Sequence, residues 1–470
     1  MIEPEVSTTG FDRIREAFAR QTFFEDKTWR YSPSAIPLPA RDIDRLEKLG
    51  NACLEFHRAL DLLYQRSSTG RNLLRNRPLT APWVADYYDR GKPAKLVAGN
   101  RSETWRGALP PVFRPDLLVT EDGFALTEFD SVPGGIGLTA FLNRLYAPAE
   151  PKLVGSDRAM IDGFYENLRA LAPSKTSPLI AIVVSEESAV YFPEMAWLAD
   201  QCREVGKRVF CLRPEEVFPL GNGLFFDLDG NPEKIDVIHR FFELYDLENV
   251  PNAEYIVEAM ESGETAVSPP FKTIFEEKLS LALYHHHLLG EFWAESLSKS
   301  TRRVLDGVIP KSWIIDPAPL PPGAVYVGPE AGGRPINDWR QLAEASQKER
   351  DLIVKISGFH ESAEGARSVT YGRDSSREEW AAALDKAIAM SGDHPFIVQE
   401  YRKPVRRTHP LYDGEGRIHE EQGRLRICPY YFSDGEQPRL SGVLATFCPA
   451  DKKIIHGMRD AAMLPCRAAD

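Results

Sequence analysis

The stretch FRPDLLVTEDGFALTEFDS, residues 113–131, constrains the fold more than any other part of the chain. Two runs rich in β-formers, VFRPDLLVT and FALTEFD, flank Glu121-Asp122-Gly123, which reads as a hairpin with Gly123 as the left-handed residue of a three-residue loop. With Thr120 opposite Phe124, Asp116 lies across from Glu128 and Arg114 across from Asp130. Strand side chains alternate, so all four leave the same face. Carboxylates directly opposite each other across strands repel, which points to a cation between them. Oxygen ligands on a rigid hairpin suit Mg²⁺, which keeps several waters and shares its shell with phosphates. The plainer alternative is a solvated edge hairpin with Arg114 as counter-charge. A two-residue loop at Asp122-Gly123 would put Asp116 and Glu128 on opposite faces and remove the metal reading.

A chain of 470 residues has room for two to four domains with large cores. Its net charge of -12 argues against nucleic acid or an anionic membrane as the main partner, so any basic site must be local. Six cysteines without C-x-x-C or zinc-type spacing indicate reduced thiols. Neither a signal-type start nor a run long enough to span a membrane occurs, which gives a soluble, cytoplasmic expectation with ATP at hand.

Residues 1–110 read as mainly helical, as in DIDRLEKLGNACLEFHRALDLLYQ, whose apolar residues recur at helical spacing. Residues 111–176 hold the hairpin and the glycine turn PGGIGLTAFLNRLY. Across 177–300 comes a small parallel α/β unit, with strands PLIAIVVS, KRVFCLRP and KIDVIHRFF around the helix MAWLADQCREVG. Helices are expected after it, around IFEEKLSLALYHHHLLGEFW. From 301 to 470 the chain is β-rich, with DLIVKIS, PFIVQEY, GRLRICPYYF, RLSGVLATFC and KKIIHGM as strands.

The last third carries the remaining chemistry. Lys355 stands inside the apolar strand DLIVKISG, where an ammonium must find an anion or reach water. The loop that follows contains Gly358 and Gly365 and can close its backbone over a triphosphate without matching a Walker pattern. Lys311 in IPKSWIID is a second candidate phosphate contact. Gln399, Glu400 and Tyr401 end an apolar strand whose backbone can meet an adenine edge. Arg402, Lys403, Arg406 and Arg407 form a cationic cluster, either an anion site or a solvated surface. Arg424 and Arg426 share one strand face, and Arg459 follows Gly457 in HGMRDA; arginine forks suit acyl or phosphate oxygens. Consecutive His285, His286 and His287 cannot converge on one metal from a helix, and Cys53 has no marked partner as a nucleophile.

Taken together, FRPD, TEFD, SVPGG, Lys311, Lys355, the Gln399-Glu400-Tyr401 hinge and GMRDA resemble the glutathionylspermidine synthase family, ligases with a circularly permuted ATP-grasp fold. That family carries R-x-D on one strand and E-x-N on the next. The match covers about 110–465, and the last position is Asp130 rather than asparagine. The resemblance implies an α/β (α+β) ATP-grasp-like fold in permuted order, interleaved with the small parallel unit. It implies Mg²⁺ on Asp116, Glu128 and Asp130, and ATP on Lys311, Lys355, Gly365, Gln399, Glu400 and Tyr401. Arg114 and Arg459 are the implied catalytic arginines. The implied reaction joins a small-molecule or peptide carboxylate to an amine through an acyl phosphate. A nucleotide-binding scaffold or sensor without turnover, and a phosphotransferase, are the alternatives; the oligomeric state is not set by the sequence.

Overall fold

The computed structural model describes residues 8–25, 27–363, 367–452, 455, 457 and 460–469. The N-terminal region is built from helices Phe11–Ala19, Ala40–Ser68, Pro82–Asp89 and Ala94–Asn100, with one short strand, β1 (Ile36–Leu38), between the first two. The 29-residue helix buries Leu46, Leu49, Cys53, Phe56, Leu60 and Leu63, a three-four alternation that turns one stripe inward. Gly50 lets this helix lie flat on the sheet beneath, because a Cβ there would sit 2.5 Å from the Tyr431 ring.

The hairpin comes next, as β2 (Val112–Thr120) and β3 (Gly123–Asp130). The parallel unit follows, with β4 (Ile180–Val184), β5 (Val209–Leu212), the antiparallel meander β6–β8 (Phe218–Leu220, Gly223–Leu228, Asn231–Lys234), β9 (Val237–Phe241) and β10 (Ala266–Ser268). Its sheet runs β10-β9-β4-β5, with every pairing parallel. β4 and β9 are buried at every position, as expected of strands covered on both faces. The expected helix through IFEEKLSLALY is broken: Thr273–Phe275 forms a 3₁₀ turn, Glu276–Lys278 is irregular, and a short helix begins at Leu279. The charges of Glu276, Glu277 and Lys278 each go to a different part of the molecule, which one helix face could not arrange.

A second sheet is made by β11 (Ser312–Ile315), β14 (Leu352–Ile356), β15 (Thr370–Tyr371) and β16 (Phe396–Glu400), in the order β11-β16-β14-β15; β12 (Glu330–Ala331) and β13 (Arg334–Pro335) form a small ribbon beside it. Its outer face packs on helix Arg377–Met390 around Trp339 and Trp380. The chain then returns through β17 (Arg406–Tyr412), β18 (Ile418–Ser433), β19 (Pro438–Pro449) and β20 (Ala462–Ala468). These close the large sheet β1-β20-β19-β18-β2-β3, with β17 also on β18. Chain order is therefore permuted: the hairpin that completes the large sheet precedes both the parallel unit and the second sheet. Only Lys452, Ile455 and Gly457 are described within KKIIHGM, and none of them is in a strand. Among the described residues no helix is long and apolar enough to cross a membrane.

Candidate functional site

The hairpin turns in two residues, Glu121 and Asp122, with Thr120 paired to Gly123 and Val119 to Phe124. The expected three-residue loop is thus absent. Continued unchanged, that register would send Asp116 and Glu128 to opposite faces. A β-bulge intervenes: Leu117 pairs with Leu126, but Asp116 pairs with Glu128 and Arg114 with Asp130. Thr127 is the extra residue, and it shifts the strand back by one place. Its hydroxyl donates to the Asp116 carbonyl at 3.0 Å, and its own carbonyl accepts from Lys355 Nζ at 2.7 Å.

Arg114 lies between two of the carboxylates. Its Nε donates to Asp116 Oδ1 at 2.6 Å, its Nη1 to the Gly134 carbonyl at 2.8 Å, and its Nη2 pairs with Asp130 Oδ2 at 2.9 Å. Burial works against this guanidinium, but Asp116 and Asp130 outweigh it and hold its pKa well above the usual value. Asp116 is fully buried, and Arg426 Nη1 stands 3.2 Å from its Oδ2. That approach is an ion pair without hydrogen-bond alignment, so Oδ2 has no donor. Burial raises the pKa of Asp130, and Asp116 and Glu128 add to the effect against Arg114.

Lys278 was not singled out in the sequence, and it is central. Its Nζ is 3.0 Å from Glu128 Oε2 and donates to the Ala363 carbonyl at 3.1 Å. Burial disfavours the Glu128 carboxylate, yet Lys278 and then Lys355 pull its pKa down to about 2. Lys355 is buried between the Thr127 carbonyl and Gln399 Oε1, at 2.9 Å. Burial first, and Lys278 second, bring its ammonium down to about 7. Gln399, expected to act through its backbone, contributes its side chain, which is braced by the Ser312 hydroxyl at 3.0 Å.

Other predicted residues stand apart. The Glu400 N–H is taken by the Lys311 carbonyl at 2.8 Å and the Tyr401 N–H by the Asp351 carbonyl at 3.0 Å, so neither donor faces a ligand. Tyr401 meets Tyr371 edge-on, with ring centroids 5.6 Å apart. Lys311 is exposed. It adjoins Glu400, and Lys355 pairs with Ile397. The two lysines flank β16 on opposite sides and differ by three residues along it, which separates them by about 14 Å. Gly365 and Arg459 lie outside the described residues.

The position of Lys278 is fixed by its neighbours. Glu277 and Lys92 form an ion pair at 2.5 Å with both side chains inaccessible to solvent, and the Ser357 hydroxyl donates to Glu277 Oε2 at 2.7 Å. Glu276 pairs with buried Arg240 of β9 at 2.5 Å. Glu194, also unpredicted, takes the N–H groups of Gly135 and Leu138 at 2.6 and 3.1 Å. It occupies the start of helix Ile136–Tyr146, where the glycine turn would otherwise offer an anion site. Burial raises its pKa to about 7.

Among the described residues no three His, Cys, Asp or Glu side chains are grouped as a metal cage. The donors fit a divalent ion in another sense. Asp116 Oδ2 lacks a donor, Asp130 is raised by burial with its acidic neighbours adding to it, and Glu128 already holds a cation in Lys278. Hard oxygens of this kind suit Mg²⁺ that keeps part of its water shell.

No family model matches the chain, and no curated protein matches it in sequence. In structure it is similar to a glutathione synthetase-like effector from Globodera pallida, with a TM-score of 0.53 and 12% identity over 97% of this chain and 96% of that one. The fold is ATP-grasp-like. A Methylobacillus flagellatus protein described as a "putative gamma-glutamylcysteine synthetase" gives a TM-score of 0.40 at 12% identity over 86% of each chain, too loose a superposition to argue from. At 12% identity the likeness to the first of these speaks for architecture alone.

Proposed function

We propose that the protein is an ATP-dependent ligase that joins a small-molecule or peptide carboxylate to an amine. The observation that carries this reading is the meeting of Lys278, Lys355, Arg114 and Arg426 with Asp116, Glu128 and Asp130 where the hairpin faces the second sheet. Two polyanions, a nucleotide and an acid, can approach one another only where fixed cations neutralise them. In the proposed reaction the acid's oxygen attacks the terminal phosphorus and ADP leaves. The amine nitrogen then displaces phosphate from the acyl carbon, losing a proton and forming the amide.

Asp116, Glu128 and Asp130 would hold Mg²⁺, which supplies charge neutralisation between adjacent phosphates. Lys355, anchored by Gln399 and the Thr127 carbonyl, meets the phosphates as a point charge. Lys278 exchanges Glu128 for a phosphate oxygen. Arg114 is pinned by two carboxylates and the Gly134 carbonyl, and so presents a preorganised guanidinium to the developing oxyanion. The segment after β14 up to Ala363, which accepts from Lys278, would cover the site and keep water from an acyl phosphate.

One observation favours a second reading, a nucleotide-binding scaffold without turnover: Lys278 already neutralises Glu128. ADP release measured with candidate acids, with and without amines, separates the two. A ligase requires both substrates for full turnover, whereas a scaffold binds nucleotide and releases none. Full activity in Glu128→Gln with the fold intact would exclude the metal role.

A further inference from the structure

Beside the hinge between the two antiparallel sheets lies a cleft of about 1040 Å³. None of Arg114, Asp116, Glu128, Asp130, Lys278 or Lys355 lines it, although Tyr401 of the hinge does. One wall carries Lys403, Arg406, Arg407 and Arg424, in a protein whose net charge is -12. Arg406 is paired directly with Arg424 in the β17–β18 register. Like charges directly opposite on one sheet face repel.

Local structure does not cancel that repulsion. No carboxylate among the described residues pairs with Lys403, Arg406, Arg407 or Arg424, although Arg402 beside them is held by Glu400 at 3.0 Å. Arg424 donates from Nη1 to the Lys452 carbonyl at 3.2 Å, while its Nε is buried without an acceptor. Glu121 and Asp122 at the hairpin tip also line the cleft, and they make no ion pair with these cations. Four cations without carboxylate partners thus stand against three lining carboxylates, Glu121, Asp122 and Asp306, the last of which accepts from the Tyr284 hydroxyl, and the volume exceeds what a single phosphate needs.

We propose that this wall is a second anion site, distinct from the carboxylate cluster, for a small molecule carrying two or more oxyanionic groups. The guanidinium fork of Arg406 takes two oxygens of one group, and Arg424, whose Nη1 is held by the Lys452 carbonyl, adds a single contact to it. Lys403 and Arg407 hold a further group as surface charges. Phosphate-bearing and carboxylate-bearing ligands share this chemistry.

Titration of the full chain with tripolyphosphate and with citrate, both in saturating Mg–ATP, tests the proposal and tells the two sources apart by which probe binds tighter. Arg406→Gln and Arg407→Gln should each weaken binding about tenfold or more, since each removes charged hydrogen bonds. Arg334→Gln, an exposed arginine elsewhere, should change nothing. Nucleotide affinity, read separately, should be the same in every variant. The proposal falls if neither probe binds, if both cleft variants bind like the wild type, or if Mg–ATP displaces the probe competitively. Loss of nucleotide binding in all proteins, with probe binding retained, would instead overturn the ligase reading alone.

Discussion

Replacing Lys278 by methionine removes an ammonium that touches Glu128 and bears electrostatically on Lys355. In the ligand-free protein the Lys355 ammonium stands at about 7 because of burial and then Lys278, with Glu128 pulling the other way. Without Lys278 the like charge is gone and Glu128 is left to Lys355. A neighbouring like charge at an effective dielectric near 20 is worth on the order of 1–3 kcal/mol. At 1.36 kcal/mol per pKa unit, Lys355 should rise by roughly one to two units, to between about 8 and 9. Phosphates bind the charged form, so affinity for metal-free ATP is highest below the Lys355 pKa and falls as pH rises through it. The fall should begin near pH 7 in the wild type, and roughly one to two units higher in Lys278→Met. Calorimetric titrations from pH 6 to 9.5 at fixed ionic strength read this directly. In the same variant Mn²⁺ without nucleotide should bind more tightly, because Glu128 has lost its internal cation. An inflection at the same pH in both proteins would refute the coupling. A flat wild-type profile would remove Lys355 from the phosphate site.

Three further outcomes follow from the same structure. His57, His239 and His409 are buried, and burial lowers their pKa to about 4, 3 and 4. Their stabilisation is complete above pH 6.5 and is lost on acidification, amounting at pH 5 to about 2 kcal/mol each. Glu194, raised to about 7, favours folding as pH drops from 7 to 4.5 and offsets about 3 kcal/mol. Urea midpoints should therefore fall from pH 7 to 5, and fall less in His57→Gln; equal losses would count against burial as the cause. Lys92→Met strands the Glu277 carboxylate and should cost about 3–5 kcal/mol, whereas Lys92→Met with Glu277→Leu should recover most of it; an uncoupled double-mutant cycle would contradict the ion pair. Deleting Thr127 removes the bulge yet keeps Glu128 opposite Asp116, because Leu126 already faces Leu117; what is lost is the carbonyl that anchors Lys355, so nucleotide affinity should fall with circular dichroism unchanged. Unchanged affinity would show that the bulge carbonyl does not position Lys355.

Alternation along the hairpin made it legible that Arg114, Asp116, Glu128 and Asp130 share a face, yet the route to that face was hidden. The loop is one residue shorter than its Glu-Asp-Gly sequence indicates, and the bulge adds one back at Thr127. Threonine is at home in an ordinary strand, so nothing local marks it as the extra residue. Lys355 was conspicuous because an ammonium within five consecutive buried strand residues needs a partner. The parallel unit was legible for the converse reason, since uninterrupted apolar runs are what strands covered on both faces require. Lys278 gave no such signal. FEEKLS reads as a charged helical turn, and the groups that draw its charges apart come from Lys92, Arg240 and Glu128, far away in the chain. Such long-range pairing leaves no periodicity behind.

The same hub ties the covering loop to the site. Lys278 donates its backbone N–H to the Ser357 carbonyl and Leu279 its N–H to the Ser357 hydroxyl, both at 2.9 Å, and Ser357 follows β14, the strand of Lys355. Glu277 cannot shift without exposing Lys92 to an unpaired burial, which costs several kcal/mol, so the backbone at Lys278 is stationary relative to β14. Its side chain is the mobile part, shared between Glu128 and the Ala363 carbonyl. Lifting the loop at Ala363 leaves Lys278 on Glu128 alone, and a divalent ion arriving at Glu128 releases Lys278 towards the loop and the phosphates beneath it. A cation at Glu128 would therefore favour the contact of Lys278 with the loop, since both draw on one ammonium. This predicts that Mg²⁺ with nucleotide slows proteolysis of residues 358–363 in the wild type, and that Lys278→Met makes cleavage there insensitive to the metal. Equal metal protection in both proteins would break the link between Glu128 and the loop.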